Sequence, residues 1–188
     1  MGCSYYYFAA SLPMLGWEGR APMAVGEFLS DCRRILEEKD YALVRRLLEE
    51  EGGAPGTGNA AAEAWVRFIT NFRNEMAWFR AQRLGKDPLK HIRGTRDNDP
   101  YARDIIQQAS KLADFLQAEK LLDRAVWQFL DDLTIGHYHD IIYIFTYGLK
   151  LKILERHQEY HSSRGRSTFD EIRVMEFPES CILESSLK

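Results

Sequence analysis

HYHDIIYIFTYGLKLKILERHQEY, residues 137–160, has no proline and repeats its apolar residues at helical spacing. Ile141, Phe145, Leu149 and Ile153 form one row, with Ile144, Leu151 and Leu154 on others. A surface apolar over so much of its circumference belongs to a helix buried on several sides. Its longest run free of formal charge, 141–149, has nine residues, far short of the roughly 20 that cross a bilayer. The stretch predicts the central helix of an all-α bundle.

The segments before it supply the partners. Residues 60–84 predict a long helix with the stripe Trp65, Phe68, Ile69, Phe72, Met76 and Phe79, while Arg67, Asn71, Asn74 and Arg80 lie around it. Trp78 falls off that stripe, as a contact to a second helix or an exposed anchor. Gly85 and Pro88 stop the helix. Residues 25–38 carry Phe28, Leu29, Cys32, Ile35 and Leu36 on one face, and Asp40 reads as the N-cap of a second short helix with Leu43, Val44, Leu47 and Leu48 inward. Together they predict a helical hairpin. Asp99-Pro100 reads as N-cap and first position of another helix, with Tyr101, Ile105, Ala109, Leu112 and Leu116 as its apolar row. Residues 119–133 predict one more, burying Leu121, Leu122, Ala125, Val126, Phe129, Leu130 and Leu133 and exposing Asp123, Arg124, Asp131 and Asp132. Residues 4–15 are aromatic and apolar, and their periodicity fits a short helix or an extended strip. No segment alternates as a strand does. Gly148 is the glycine inside a strong helical pattern, where it costs about 1 kcal/mol relative to alanine; we expect it to admit a close helix neighbour.

The 188 residues suit one helical domain, 1–175, with a glycine-rich linker at 51–59, a weak helix at 167–175 and a loose tail at 176–188. A net charge of −3, from 25 basic and 28 acidic residues, gives no general field for nucleic acid or an anionic membrane. Cys3, Cys32 and Cys181 are odd in number and have no CxxC pair, which fits a reduced, cytoplasmic protein. The start lacks a secretory signal pattern, and Tyr6 stands where myristoylation requires Ser or Thr.

Few residues offer chemistry. The run EGGAPGTGN, 51–59, lacks the Gly-Lys-Ser/Thr of a phosphate loop and the strand before it. His157 and His161 stand at the i, i+4 spacing of zinc ligands, yet glutamate follows the first histidine one place too late for a zincin; solvated histidines at a helix end are the favoured reading. His137, His139 and Asp140 form a second ligand-like cluster, better read as the start of the central helix with Asp140 assisting its cap. Arg93 and Arg96 in the turn-rich 91–100 stretch are read as exposed. Neither a nucleophile elbow nor a dinucleotide fingerprint is present. Catalytic, cofactor and metal residues are therefore all expected to be none, with His137, His139, His157 and His161 as the metal candidates if that is wrong.

The landmarks together resemble a known family. YYYFAASLPML, then EFLSDCRRILEEKDYALVRRLLEE, is similar to the opening of the C subunit of V/A-type ATPases (the d subunit in eukaryotes). ITNFRNEMAWFRAQRLGKDP looks like that family's recurrent helix, in which an asparagine (Asn74), an arginine-alanine pair (Arg80-Ala81) and a glycine stop (Gly85) follow one another. LQAEKLLDRAVWQFLDDLT and the central helix ending LKILER, with Arg156, look like a short bacterial branch associated with V-type ATPase gene clusters. The likeness spans roughly residues 5–175 in a chain shorter than the full C subunit. It implies a non-catalytic structural subunit, without cofactor, that links the membrane rotor ring to the central shaft in ATP-coupled ion transport. It also implies contact with the membrane only through partner subunits, and structural roles for Asn74, Arg80, Gly85, Gly148 and Arg156. The residues alone leave two alternatives: a helical metal-dependent enzyme using the histidines, and a generic protein-interaction module.

Overall fold

Asp140 decides where the central helix begins. Its Oδ1 accepts from the backbone N–H of Ile142 (3.1 Å) and Tyr143 (3.2 Å), which satisfies donors that a helix start leaves open. The helix is therefore Ile141–Tyr160, and residues 137–140 form the turn before it rather than its first turn.

The computed structural model describes residues 5–50, 56–97 and 99–160. Cys3, Cys181, His161, residues 1–4, most of the glycine-rich run, the weak helix at 167–175 and the tail lie outside the described residues. The order is α1 (Tyr6–Ser11), α2 (Val25–Ile35), α3 (Glu38–Glu49), α4 (Ala60–Arg83), a 3₁₀ turn (Pro88–His91), α5 (Pro100–Lys111), α6 (Phe115–Leu133) and α7 (Ile141–Tyr160), with no strand among the described residues. The fold is all-α.

α7 is buried continuously from Ile144 to Leu149 and again at Leu151, Ile153 and Leu154, as its broad apolar surface predicts. α2 and α3 pack on one side of it and α6 on another, while α4 and α5 pack on each other and on α6. The main core joins Phe28, Val44, Trp65, Leu130, Phe145 and Leu154, drawn from five of the helices, and a smaller cluster of Phe72, Ala102 and Ala125 seals α4 to α5 and α6. Each fully buried large side chain contributes about 1.5–3 kcal/mol of transfer free energy. Thr146, also fully buried, donates its hydroxyl back to Ile142 O at 2.8 Å and so satisfies its own polar group within the core.

Gly148 faces the α2–α3 hairpin. A Cβ there would stand 2.7 Å from Phe28 Cε1 and 2.9 Å from Leu48 Cδ1, so the expected close approach is real and comes from two helices at once. Polar groups pin the same interface: Lys152 Nζ donates to Leu48 O at the end of α3 (2.6 Å), and Glu155 accepts from Val25 N at the start of α2.

Several boundaries and faces differ from the sequence reading. Asp114 caps α6 through Leu116 N, so that helix starts four residues before 119 and Leu116 belongs to it, not to the α5 row. The buried row of α5 is Ala102, Ile106 and Ala109, whereas Tyr101 and Leu112 are exposed. Ile35 is likewise exposed at the end of α2. α3 starts at Glu38, and Asp40 accepts the Tyr5 hydroxyl (2.5 Å) instead of capping the helix. Residues 6–11 are helical, which resolves the helix-or-strip alternative.

Candidate functional site

An acid on an apolar row must either be buried with a partner or break the packing. Asp123 shares the i, i+4, i+7 row of Trp127 and Leu130 on α6, and it is 5% exposed rather than on the outer face. α7 answers it one residue apart: Arg156 Nη2 donates to Oδ1, and His157 Nε2 lies 2.9 Å from Oδ2. Burial alone would lower the Arg156 pKa, but the Asp123 charge and hydrogen bond outweigh it, and the guanidinium is held above its ordinary value. The His157 ring stands edge-on to Trp17 at 5.1 Å, and Trp17 meets Trp127 edge-on at 5.5 Å. Arg124 lies over the Trp17 ring, 5.2 Å from its centroid. One buried carboxylate thereby ties α6 to α7, and through His157 and Trp17 it anchors the loop between α1 and α2.

This cluster forms the wall between two clefts. On one side, a cleft of about 380 Å³ runs between α4 and α7, apolar at Ile69, Phe72 and Ile153 and charged at Arg73, Glu119 and Arg156. On the other, a wider cleft of about 1320 Å³ opens between the Trp17 loop and the α6–α7 pair. Trp17, Arg124 and His157 are the members that face the second cleft, the His157 side chain being 12% exposed.

A second buried acid governs the other end. Glu75 on α4, 2% exposed, receives Arg96 in a fork (Nε to Oε1 2.5 Å, Nη2 to Oε2 2.8 Å), with Arg103 at 4.0 Å. Arg96 also stacks over Trp78 at 4.1 Å, which gives that off-stripe tryptophan its contact. Asn74, 3% exposed rather than lying around the stripe, donates to Arg93 O and accepts from Arg93 N, both at 2.8 Å. Gly85 (φ +63°) closes α4 in a Schellman motif, with Lys86 N bonding Ala81 O and Gly85 N bonding Gln82 O. The segment 86–97 is thus folded back along α4 and held there. Of the two arginines read as exposed, Arg93 is exposed and is held through its backbone, whereas the Arg96 side chain is half-buried on Glu75.

The other candidates are placed as follows. His137 Nδ1 lies 2.5 Å from Asp140 Oδ2 in the turn before α7, and the His139 ring packs edge-on against Tyr6 at 4.8 Å. Arg80 is exposed near the end of α4. His157 is engaged by Asp123, away from the His137–His139 turn. Among the described residues no three His, Cys, Asp or Glu side chains gather as a metal site. No helix among them is long and apolar enough to cross a membrane.

The sequence reading missed Asp123, Glu75 and Trp17. The acids had a usable signal: Glu75 stands on the row of Phe68, Phe72 and Phe79 just as Asp123 stands on that of Trp127 and Leu130. Trp17 had none, because it lies in a loop between Gly16 and Gly19 with no period to read.

Among known proteins, the model of a family described as a protein of unknown function (DUF2764) matches residues 96–176, or 81 of the 188 residues. The match takes in α5, α6 and α7, including Asp123, Arg156 and His157. No curated protein and no solved structure matches the chain.

Proposed function

We propose that this chain is a non-catalytic helical component of a V/A-type rotary ATPase, related to the C subunit of that family. In that role it links the membrane rotor ring to the central shaft and meets the membrane only through those partners. The reading rests first on the residue pattern from the tyrosine-rich start to LKILER, in which Asn74, Arg80-Ala81 and Gly85 recur as in the family's helix.

One observation on the geometry carries it further: the buried charges join element to element. Asp123 fastens α6 to α7 and the Trp17 loop, and Glu75 with Asn74 fastens the 86–97 segment to α4. Each buried acid is matched by an arginine, as a body that transmits torque without deforming requires; a removed partner would leave an uncompensated charge.

The test is a pull-down of the tagged full chain from its native cells at low salt, followed by mass spectrometry and metal analysis. Recovery of V-type ATPase shaft or ring subunits without stoichiometric metal is the expected result. One zinc or iron per chain with no ATPase subunit would overturn the reading and return attention to the histidines.

A further inference from the structure

Positive charge collects in one cleft of a chain that is negative overall. The opening between the loop 16–20 and the α6–α7 pair is lined by the cations Arg20, Lys120 and Arg124 against a single acid, Glu18, while the chain carries −3. Arg20, Lys120 and Arg124 make no ion pair among the described residues; Arg124 rests on the Trp17 ring instead. Leu112, 44% exposed, and Leu121 supply an apolar strip beside them.

The walls are fixed before anything binds. Trp17 is held by Trp127, His157 and Arg124, and Gln158 Nε2 donates to Ala21 O at 3.5 Å, so the loop is anchored by ring and backbone alike. A preformed wall avoids the ordering entropy that weakens binding. The shape selects the class of ligand. At about 1320 Å³ and open to solvent, the cleft exceeds the roughly 300–1,000 Å³ usual for small-molecule sites. Nucleic acid fits poorly, since affinity there grows with the number of phosphates neutralised, the cleft offers only Arg20, Lys120 and Arg124, and the net negative charge of the chain repels a long polyanion.

We infer that this cleft docks an acidic segment of a partner protein, with carboxylates on Arg20, Lys120 and Arg124 and an apolar side chain on the Leu112–Leu121 strip. Tryptophan and arginine beside an apolar floor are the residues that anchor such interfaces. The inference stands on the cleft and holds whichever assembly the chain joins.

The probe is a fluorescein-labelled peptide alternating Glu and Leu, titrated by anisotropy into the full chain at about 50 mM salt, where screening is weak. A Lys-for-Glu peptide and a single-stranded oligonucleotide of equal charge serve as controls. Binding of the acidic peptide should weaken roughly tenfold in R20E/K120E and less than about twofold in R33E/K86E, which changes charge equally elsewhere on the surface. Carbodiimide coupling on the unaltered chain gives a second measurement, with the adduct expected at Lys120. No binding of the acidic peptide, equal loss in both double variants, tighter binding of the oligonucleotide, or adducts spread over other lysines would each overturn the inference.

Discussion

At Gly148 two opposing effects of substitution have knowable sizes. Alanine would gain about 1 kcal/mol of helix propensity. Its Cβ, however, would press on Phe28 and Leu48, which are 0% and 2% exposed and so have little room to yield. Overpacking of a filled core costs about 1–3 kcal/mol, so Gly148→Ala should be destabilising by about 1 kcal/mol, and Gly148→Leu by about 3 kcal/mol or more. Urea denaturation of the two variants measures this; an unchanged midpoint for Gly148→Leu would mean that the hairpin can swing away from α7. Cys32 offers a second residue-scale expectation. Burial, helped by Asp31, pushes its thiol from about 9 up to about 12. Between those values the native state holds a proton that the unfolded state has released. The contribution to stability is therefore full below about pH 9 and is lost as pH rises toward about 12. With Cys3 and Cys181 replaced by serine, Cys32 should stay unreactive to a disulfide reagent at pH 8 until denaturant is added; rapid labelling of the folded chain would contradict its burial.

At the scale of elements, the two buried acids act as fasteners, and their loss should be local in character. Removing Asp123 strands His157, 12% exposed, while Arg156, 46% exposed, keeps much of its water. The expected cost of Asp123→Ala is therefore about 2 kcal/mol, below the 3–5 kcal/mol of a fully buried pair. Asn74→Ala removes both bonds to Arg93 and should cost about 1–3 kcal/mol, with a sharper signature in hydrogen exchange: the Arg93 amide should lose protection while those of α7 keep theirs. Equal loss everywhere would show that the segment 86–97 is not a separate clamp. These fasteners also mark the limit of what the chain reveals when read as letters. Helix positions and the core of α7 were legible because period and caps are local: Asp99-Pro100 starts α5, and Gly85 ends α4 with the positive φ expected of it. The faces of Asp123 and Asn74 were misjudged, and Glu75 was missed, because each polar side chain is buried by a partner some 19 to 34 residues away, and no local pattern specifies such a partner. The α5–α6 joint was misplaced for a related reason. Leu112 and Leu116 continue the α5 spacing, and only the Asp114 side chain bonding Leu116 N interrupts it.

At the scale of the whole molecule, the question is whether α4 and α5 could leave while α2, α3 and α7 stay folded. α6 is the shared element, packing on α5 through one face and on α7 through another. Its Leu130 is 0% exposed within the main core, and the Phe129 ring lies stacked on Phe68 of α4 at 3.9 Å. A helix engaged on both faces cannot release one neighbour without exposing apolar surface that held the other, so the layers should unfold together. Far-UV circular dichroism and tryptophan fluorescence should then give coincident urea transitions, as two-state behaviour requires. Leu130→Ala should lower both midpoints by the same amount, with a loss of about 2–5 kcal/mol. If the variant instead separated the two probes, with fluorescence changing before helicity is lost, α6 would be acting as a hinge between independent layers. In that case the fold would flex where α6 meets α7 at the Asp123 cluster, which would count against the rotor role proposed for it.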